Sequence, residues 1–98
     1  MPKAPAKKLN RKRPRLMKLK DRARLLAAFG RRLQKLRREK GFTPNQFAWE
    51  SGIDPGNLAK YEQGDREPGL LVIIIMAKAL KIDHLKLLDI AFDYEQEY

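Results

Sequence analysis

Positive charge and hydrogen-bond donors dominate the side chains of this sequence that can do chemistry. Lysine and arginine number 22 against 12 aspartates and glutamates, a net charge of +10 in 98 residues. With no cysteine, disulfides, thiolate zinc sites and cysteine nucleophiles are excluded. A single histidine, His84, argues against a histidine metal site within one chain, and at a helix start it reads as a surface residue. No carboxylate pair stands with a histidine or a phosphate-cradling loop. The expectation is therefore no enzyme, no metal and no cofactor. What remains is binding chemistry, with ammonium and guanidinium groups aimed at an anion.

The cations are not spread evenly. Residues 1–40 carry 17 bases and two acids, Asp21 and Glu39, whereas residues 41–98 carry five bases and ten acids. The first part should seek a polyanion, and nucleic acid is the commonest in a cell. Ten acids cannot neutralise 17 bases internally, and an anionic membrane surface is the weaker alternative. The longest unbroken apolar run, Leu70 to Ala77, has eight residues, against the ~18 needed to cross a bilayer. The N-terminus is basic without a long apolar stretch behind it, so it does not read as a secretion signal. These features together imply a cytoplasmic, nucleoid-associated protein.

The elements that must position such groups read as helices. Residues 1–20 hold three prolines and nine Lys or Arg, too little apolar surface to offset ordering, and are expected to be a disordered arm. Arg11, Lys12, Arg13, Arg15, Lys18 and Lys20 are its candidate phosphate contacts. From Asp21, Leu25, Leu26, Phe29, Leu33 and Leu36 recur on one helical face up to Gly41. Thr43-Pro44 and Asp54-Pro55 each combine a side-chain cap with a proline at the first helical position. They start two short helices, ending near Glu50 and before Gly64.

Leu70 to Lys81 contains a strand-like Val72-Ile73-Ile74-Ile75. Its run into Met76-Ala77-Lys78-Ala79-Leu80, and Leu70, Ile73, Ala77 and Leu80 on one face, favour helix. Asp83 caps a fifth helix to about Phe92. The fold class is all-α, five helices around one core. The boundaries are an arm over 1–20, a domain over 21–92 and an acidic tail over 93–98.

Between Pro44 and Gln63, geometry requires Ala48 to be small where two helices cross. It requires Gly52 to supply the positive φ of a tight turn, and Ile53, Leu58 and Tyr61 to face the core. That is a helix-turn-helix arrangement, which sets one helix proud of the surface for a major groove.

Phe29-Gly30-Arg31-Arg32-Leu33, Leu36-Arg37, Lys40-Gly41, Phe47-Ala48, Ser51-Gly52-Ile53-Asp54, Tyr61-Glu62-Gln63-Gly64 and Pro68 occur in order. The stretch from about Leu26 to Leu88 thereby resembles the phage repressor and Cro (XRE-like) helix-turn-helix family. The resemblance implies a lambda-repressor-like fold and a regulator of transcription that binds double-stranded DNA. It sets the helix Thr43–Glu50 over the DNA backbone, with Thr43 and Asn45 as phosphate contacts joined by Gln63 and Arg66. It makes Pro55–Glu62 the reading helix, with Pro55, Gly56, Asn57 and Lys60 outward. It also implies a structural ion pair between Arg37 and Glu62.

The sequence departs from the family where Pro44 replaces a glutamine that often contacts a phosphate. Pro55 and Gly56 offer no side-chain hydrogen bonds, which leaves Asn57, suited to adenine, and Lys60, suited to guanine. Asp54, Asp65 and Glu67 put negative charge near the expected backbone path.

Apolar positions exceed what one core needs. Leu71 and Ile75 stand away from the face of Ile73, Ala77 and Leu80. On the fifth helix Leu85, Leu88 and Phe92 form one stripe and Leu87, Ile90 and Tyr94 another. The set Leu71, Ile75, Leu87, Ile90 and Tyr94 is expected to form a homodimer surface, since dimers bind two half-sites one DNA turn apart. Trp49 lies off the core face and is expected to pack on the first helix. The rival reading is a protein-interaction module, antitoxin-like or an adaptor, with the helix-turn-helix as scaffold and the arm binding nucleic acid non-specifically. RNA binding ranks last, because no aromatic-interleaved surface appears.

Overall fold

A computed structural model describes residues 19–90, and the regular structure in that span is entirely helical. Five helices follow in order: α1 (Leu19–Glu39), α2 (Pro44–Ser51), α3 (Pro55–Gln63), α4 (Leu70–Leu80) and α5 (His84–Leu87). The arm residues Arg11, Lys12, Arg13, Arg15 and Lys18 lie outside the described span, as do Phe92, Tyr94 and the acidic tail. Lys20, expected in the arm, belongs to α1, which starts two residues before Asp21. Asp21 itself is buried and accepts from Arg24 at 3.0 Å.

Each helix end has a local cause. α1 closes with Phe42 N–H on the Arg37 carbonyl (3.1 Å) and Gly41 N–H on that of Arg38 (2.9 Å), a left-handed terminus satisfying two orphan carbonyls. Thr43 and Gln46 cap the start of α2 reciprocally: Gln46 N–H donates to Thr43 Oγ1 (3.1 Å) and Thr43 N–H to Gln46 Oε1 (2.9 Å). Asp54 Oδ2 accepts the Asn57 N–H at the start of α3 (3.2 Å), and Pro44 and Pro55 occupy the first positions. The Val72–Ile75 run is helical, since the region offers no strand to pair it and its apolar side chains pack on helices instead.

The core gathers Phe29, Leu33 and Leu36 from α1, Phe47 and Ala48 from α2, Leu58 and Tyr61 from α3, and Met76, Ala77 and Leu80 from α4. Ile53 packs against its edge. Leu70, expected inward, is exposed: α4 begins beyond the rim of the core, and its buried side is Met76, Ala77 and Leu80 backed by Val72 and Ile73. α1 and α3 meet closest. A Cβ added to Gly30 would stand 2.2 Å from the Glu62 carbonyl oxygen, so any side chain at that position would force α1 and α3 apart.

The fifth helix departs most from expectation. It ends at Leu87 rather than near Phe92. Arg32 reaches across from α1 and donates to the Lys86 carbonyl through Nε (3.1 Å) and Nη2 (2.9 Å), tying the end of α5 to α1. With one turn only, α5 does not carry Leu87 and Ile90 along one helical side, and Tyr94 lies outside the described residues. Leu87 is fully buried and Ile90 packs on the core, while Leu85 and Leu88 face solvent. Leu87 therefore belongs to the monomer's interior, not to a dimer surface, and Ile90 is partly covered by the core it packs on.

Candidate nucleic-acid interface

α2 and α3 are joined by the turn Gly52–Asp54. Gly52 sits at φ +74°, which β-carbon sterics disfavour, and Ile53 N–H donates to Ser51 Oγ at 3.3 Å. With Phe47 and Ala48 of α2 and Leu58 and Tyr61 of α3 turned into the core, the opposite side of each helix is left outward. Pro55, Gly56, Lys60 and Gln63 are exposed on α3, and Asn57 is half-buried. Thr43 and Asn45 are exposed at the start of α2, and Arg66 is exposed in the loop after α3. The turn thus assembles the sequence-derived reading and phosphate candidates around the start of α2 and the outer side of α3.

Two arginine contacts fix this arrangement. Arg37 Nε donates to Glu62 Oε2 at 2.6 Å and Nη2 to Glu62 Oε1 at 3.1 Å, while Nη1 donates to the Phe42 carbonyl at 2.8 Å. Both side chains are nearly dry, so the fork ties the end of α3 to α1 with its charges matched. Arg66 Nη1 donates to Asn57 Oδ1, joining a candidate phosphate contact to a candidate base reader. In the loop, Glu67 accepts from Arg22 at 2.7 Å, so its charge is partly offset beside the expected DNA path. Asp54 is engaged as the α3 cap.

A cleft between α1 and the two short helices is lined by Gln34 and Arg38 of α1, Pro44 of α2, and Ala59 and Gln63 of α3. Sequence reasoning passed over Arg38. It stands directly after the buried Arg37 yet is exposed, four residues beyond Gln34, so its guanidinium is available on the α3 side of α1. The available signal was that spacing together with Gly30, the residue that marks which side of α1 α3 must cover. Trp49 does not pack on α1. It is 86% exposed, because the inner side of an eight-residue helix is already filled by Phe47, Ala48 and Ser51. Of the expected dimer positions, Leu71 is 72% exposed, and Ile75 is half-buried in a groove beside Glu50 and Ser51. No described helix is long and apolar enough to cross a membrane.

Comparison with known proteins gives a consistent result. A family model described as helix-turn-helix matches residues 33–87. An HTH-type transcriptional regulator of Sinorhizobium fredii, y4dJ, is 34% identical over 58 residues, covering 59% of this chain and 75% of that protein. The restriction-modification controller protein C.AhdI of Aeromonas hydrophila superposes with a TM-score of 0.62 at 37% identity, over 63% of this chain and 94% of its own. The clp gene regulator ClgR of C. glutamicum does so at 0.62 and 30% identity, over 65% and 83%.

Proposed function

The chain belongs to the XRE-like helix-turn-helix family, and from that premise we propose that it regulates transcription by binding double-stranded DNA, as a homodimer, with α3 in the major groove. One observation carries this reading. The inner side of α3 is buried and clamped to α1 by Gly30 and the Arg37–Glu62 fork, while Gly56, Lys60 and Gln63 stand free on its other side. A helix locked on one side and free on the other is what insertion between phosphate backbones demands. Asn57 and Lys60 face base edges, and Pro55 and Gly56 let the backbone approach closely. Thr43, Asn45, Gln63 and Arg38 donate to phosphates on either side.

The homodimer rests on apolar surface that the monomer leaves uncovered. Leu70 and Leu71 of α4, Leu85 of α5 and Leu88 just after it are all exposed; of the set expected from sequence this keeps Leu71, while Leu70, Leu85 and Leu88 take the place of Leu87 and Ile90. A two-fold pair of such chains presents two α3 helices to half-sites one DNA turn apart.

The test is fluorescence anisotropy on labelled duplexes at two salt concentrations, followed by selection from a random duplex pool. Binding that weakens steeply with salt, and a palindromic consensus, are expected. Six neutralised phosphates give a slope of about −5 in log K against log[salt]. No duplex binding at low salt ends the proposal. A second reading, docking of a protein partner, is favoured by exposed Trp49; one stoichiometric protein partner captured without DNA binding selects it.

A further inference from the structure

α1 carries six arginines, and four of them are engaged. Arg22 meets Glu67, Arg24 meets Asp21, Arg32 holds the Lys86 carbonyl and Arg37 holds Glu62. Arg31 and Arg38 are exposed and, among the described residues, have no ion pair and no side-chain hydrogen bond. They stand seven residues apart, two helical turns, so they share one side of α1 with about 10.5 Å between them along the axis.

That side borders α3. A Cβ on Gly64 would lie 2.9 Å from the Ala27 Cα, and one on Gly30 would meet the Glu62 carbonyl oxygen, so the two backbones touch from Ala27 to Gly30. Arg31 is the next residue. Gln34, three residues on, and Arg38, four further, line the cleft shared with Ala59 and Gln63 of α3. Glu62, the acid that lines this cleft, is held by Arg37 and does not neutralise the pair. Arg31, Gln34 and Arg38 thus form a stripe beside the outward side of α3, cationic at both ends.

A helix in the major groove is flanked by phosphate backbones, and each strand offers one negative charge per ~3.4 Å of duplex axis. We propose that Arg31 and Arg38 together grip the strand on the α1 side of the groove, which makes α1 a DNA-contacting element in its own right. Arg38, in the cleft with Pro44, continues the phosphate contacts from the start of α2. Arg31, two turns back along α1, carries them past the seam with α3. Guanidinium groups suit this task because their paired N–H donors match phosphate oxygens. Such contacts set the position of the protein on the duplex and carry no base preference. This inference rests on α3 entering the groove as proposed above.

The experiment is anisotropy over a series of salt concentrations, with the full chain and with Arg31→Gln, Arg38→Gln and the double variant, on duplexes that the natural chain selects from a random pool. Lys78→Gln/Lys81→Gln removes the same two charges beside Glu50 and Ser51, at the other end of α2, and controls for net charge. Each single variant is expected to make the slope of log K against log[salt] shallower by about 1, and the double variant by about 2. The bases selected and the urea midpoint should not change, and the control should keep the natural slope. An unchanged slope in Arg31→Gln overturns the proposal, even where Arg38→Gln lowers it. So does a control loss as large as that of the double variant, or a changed base consensus. Each of these outcomes leaves DNA binding standing, whereas absence of any duplex binding by the natural chain at low salt removes both.

Discussion

Two arginines grip the same helix, one from inside and one from outside. Arg37 meets Glu62 with both side chains at most 8% exposed and adds a bond to the Phe42 carbonyl. Arg66 meets Asn57 in the open, at the other end of α3. The donor is chemically identical, and the solvent decides what each contact does. Buried, the fork is strong only while complete, because either charge alone would be stranded away from water. Exposed, the bond competes with water and holds little stability. Position is fixed on the inner side of the helix, and the outer side is left to solvent and to whatever binds there.

The sharpest way to break that contrast is to remove one half of the buried fork. Arg37→Met leaves the Glu62 carboxylate without its partner and should lower unfolding free energy by about 3–5 kcal/mol in urea titration. The double variant Arg37→Met/Glu62→Leu should recover much of that loss, since an apolar pair carries no desolvation cost. A single-variant loss below ~1 kcal/mol would show that Glu62 reaches water and that the fork is a surface pair.

Gly30→Ala attacks the same seam without touching charge. Its Cβ would lie 2.2 Å from the Glu62 carbonyl oxygen, which is backbone and cannot swing aside. Displacing α3 to relieve the clash should cost about 1–3 kcal/mol, less than stranding a charge, although alanine is the better helix former. Duplex affinity should fall with it, since the turn that aims Lys60 moves too. Unchanged stability together with unchanged binding would mean that α1 and α3 are not in rigid register.

Thr43→Ala acts on a smaller scale, at the start of α2. It removes the oxygen that accepts the Gln46 N–H and should cost about 1 kcal/mol, read as a lowered thermal midpoint, whereas Thr43→Ser should retain most of it. A drop in duplex affinity for Thr43→Ser, with stability intact, would tie the threonine methyl to the interface.

The inner side of α3 was more legible in the sequence than the outer. Capped prolines at Pro44 and Pro55, the apolar repeat of α1 and the spacing of Phe47, Ala48, Leu58 and Tyr61 are each local signals of period 3.6. The helices they imply are present within a residue or two at their ends. The Arg37–Glu62 partnership followed from family resemblance, not from spacing, because the two residues are 25 positions apart. α5 was misjudged because the chain leaves the helix after Leu87, although the apolar repeat from Leu85 onward would suit a longer one; a repeat of side chains does not encode where the backbone stops. The leucines of α5 then exchanged roles, with Leu87 inward and Leu85 and Leu88 outward. Asn57 was legible as an outward polar residue. Its orientation was not, since that depends on a loop arginine nine residues on.

The smallest expected effect is also the one that best separates the two grips. Arg66→Ala deletes a hydrogen bond to the very helix that Arg37 holds, yet stability should change by no more than about 0.5 kcal/mol. Water replaces the lost donor at Asn57 Oδ1, and the cap from Asp54 to the Asn57 backbone is untouched. The substitution also releases the long side chain from one geometry, so the entropy it regains offsets part of the bond. The measurement is a urea midpoint set beside that of Arg37→Met. A loss for Arg66→Ala approaching that of Arg37→Met would mean that the outer bond carries structural load. α3 would then be held from both sides, and its outward face could not be retuned without loosening the fold.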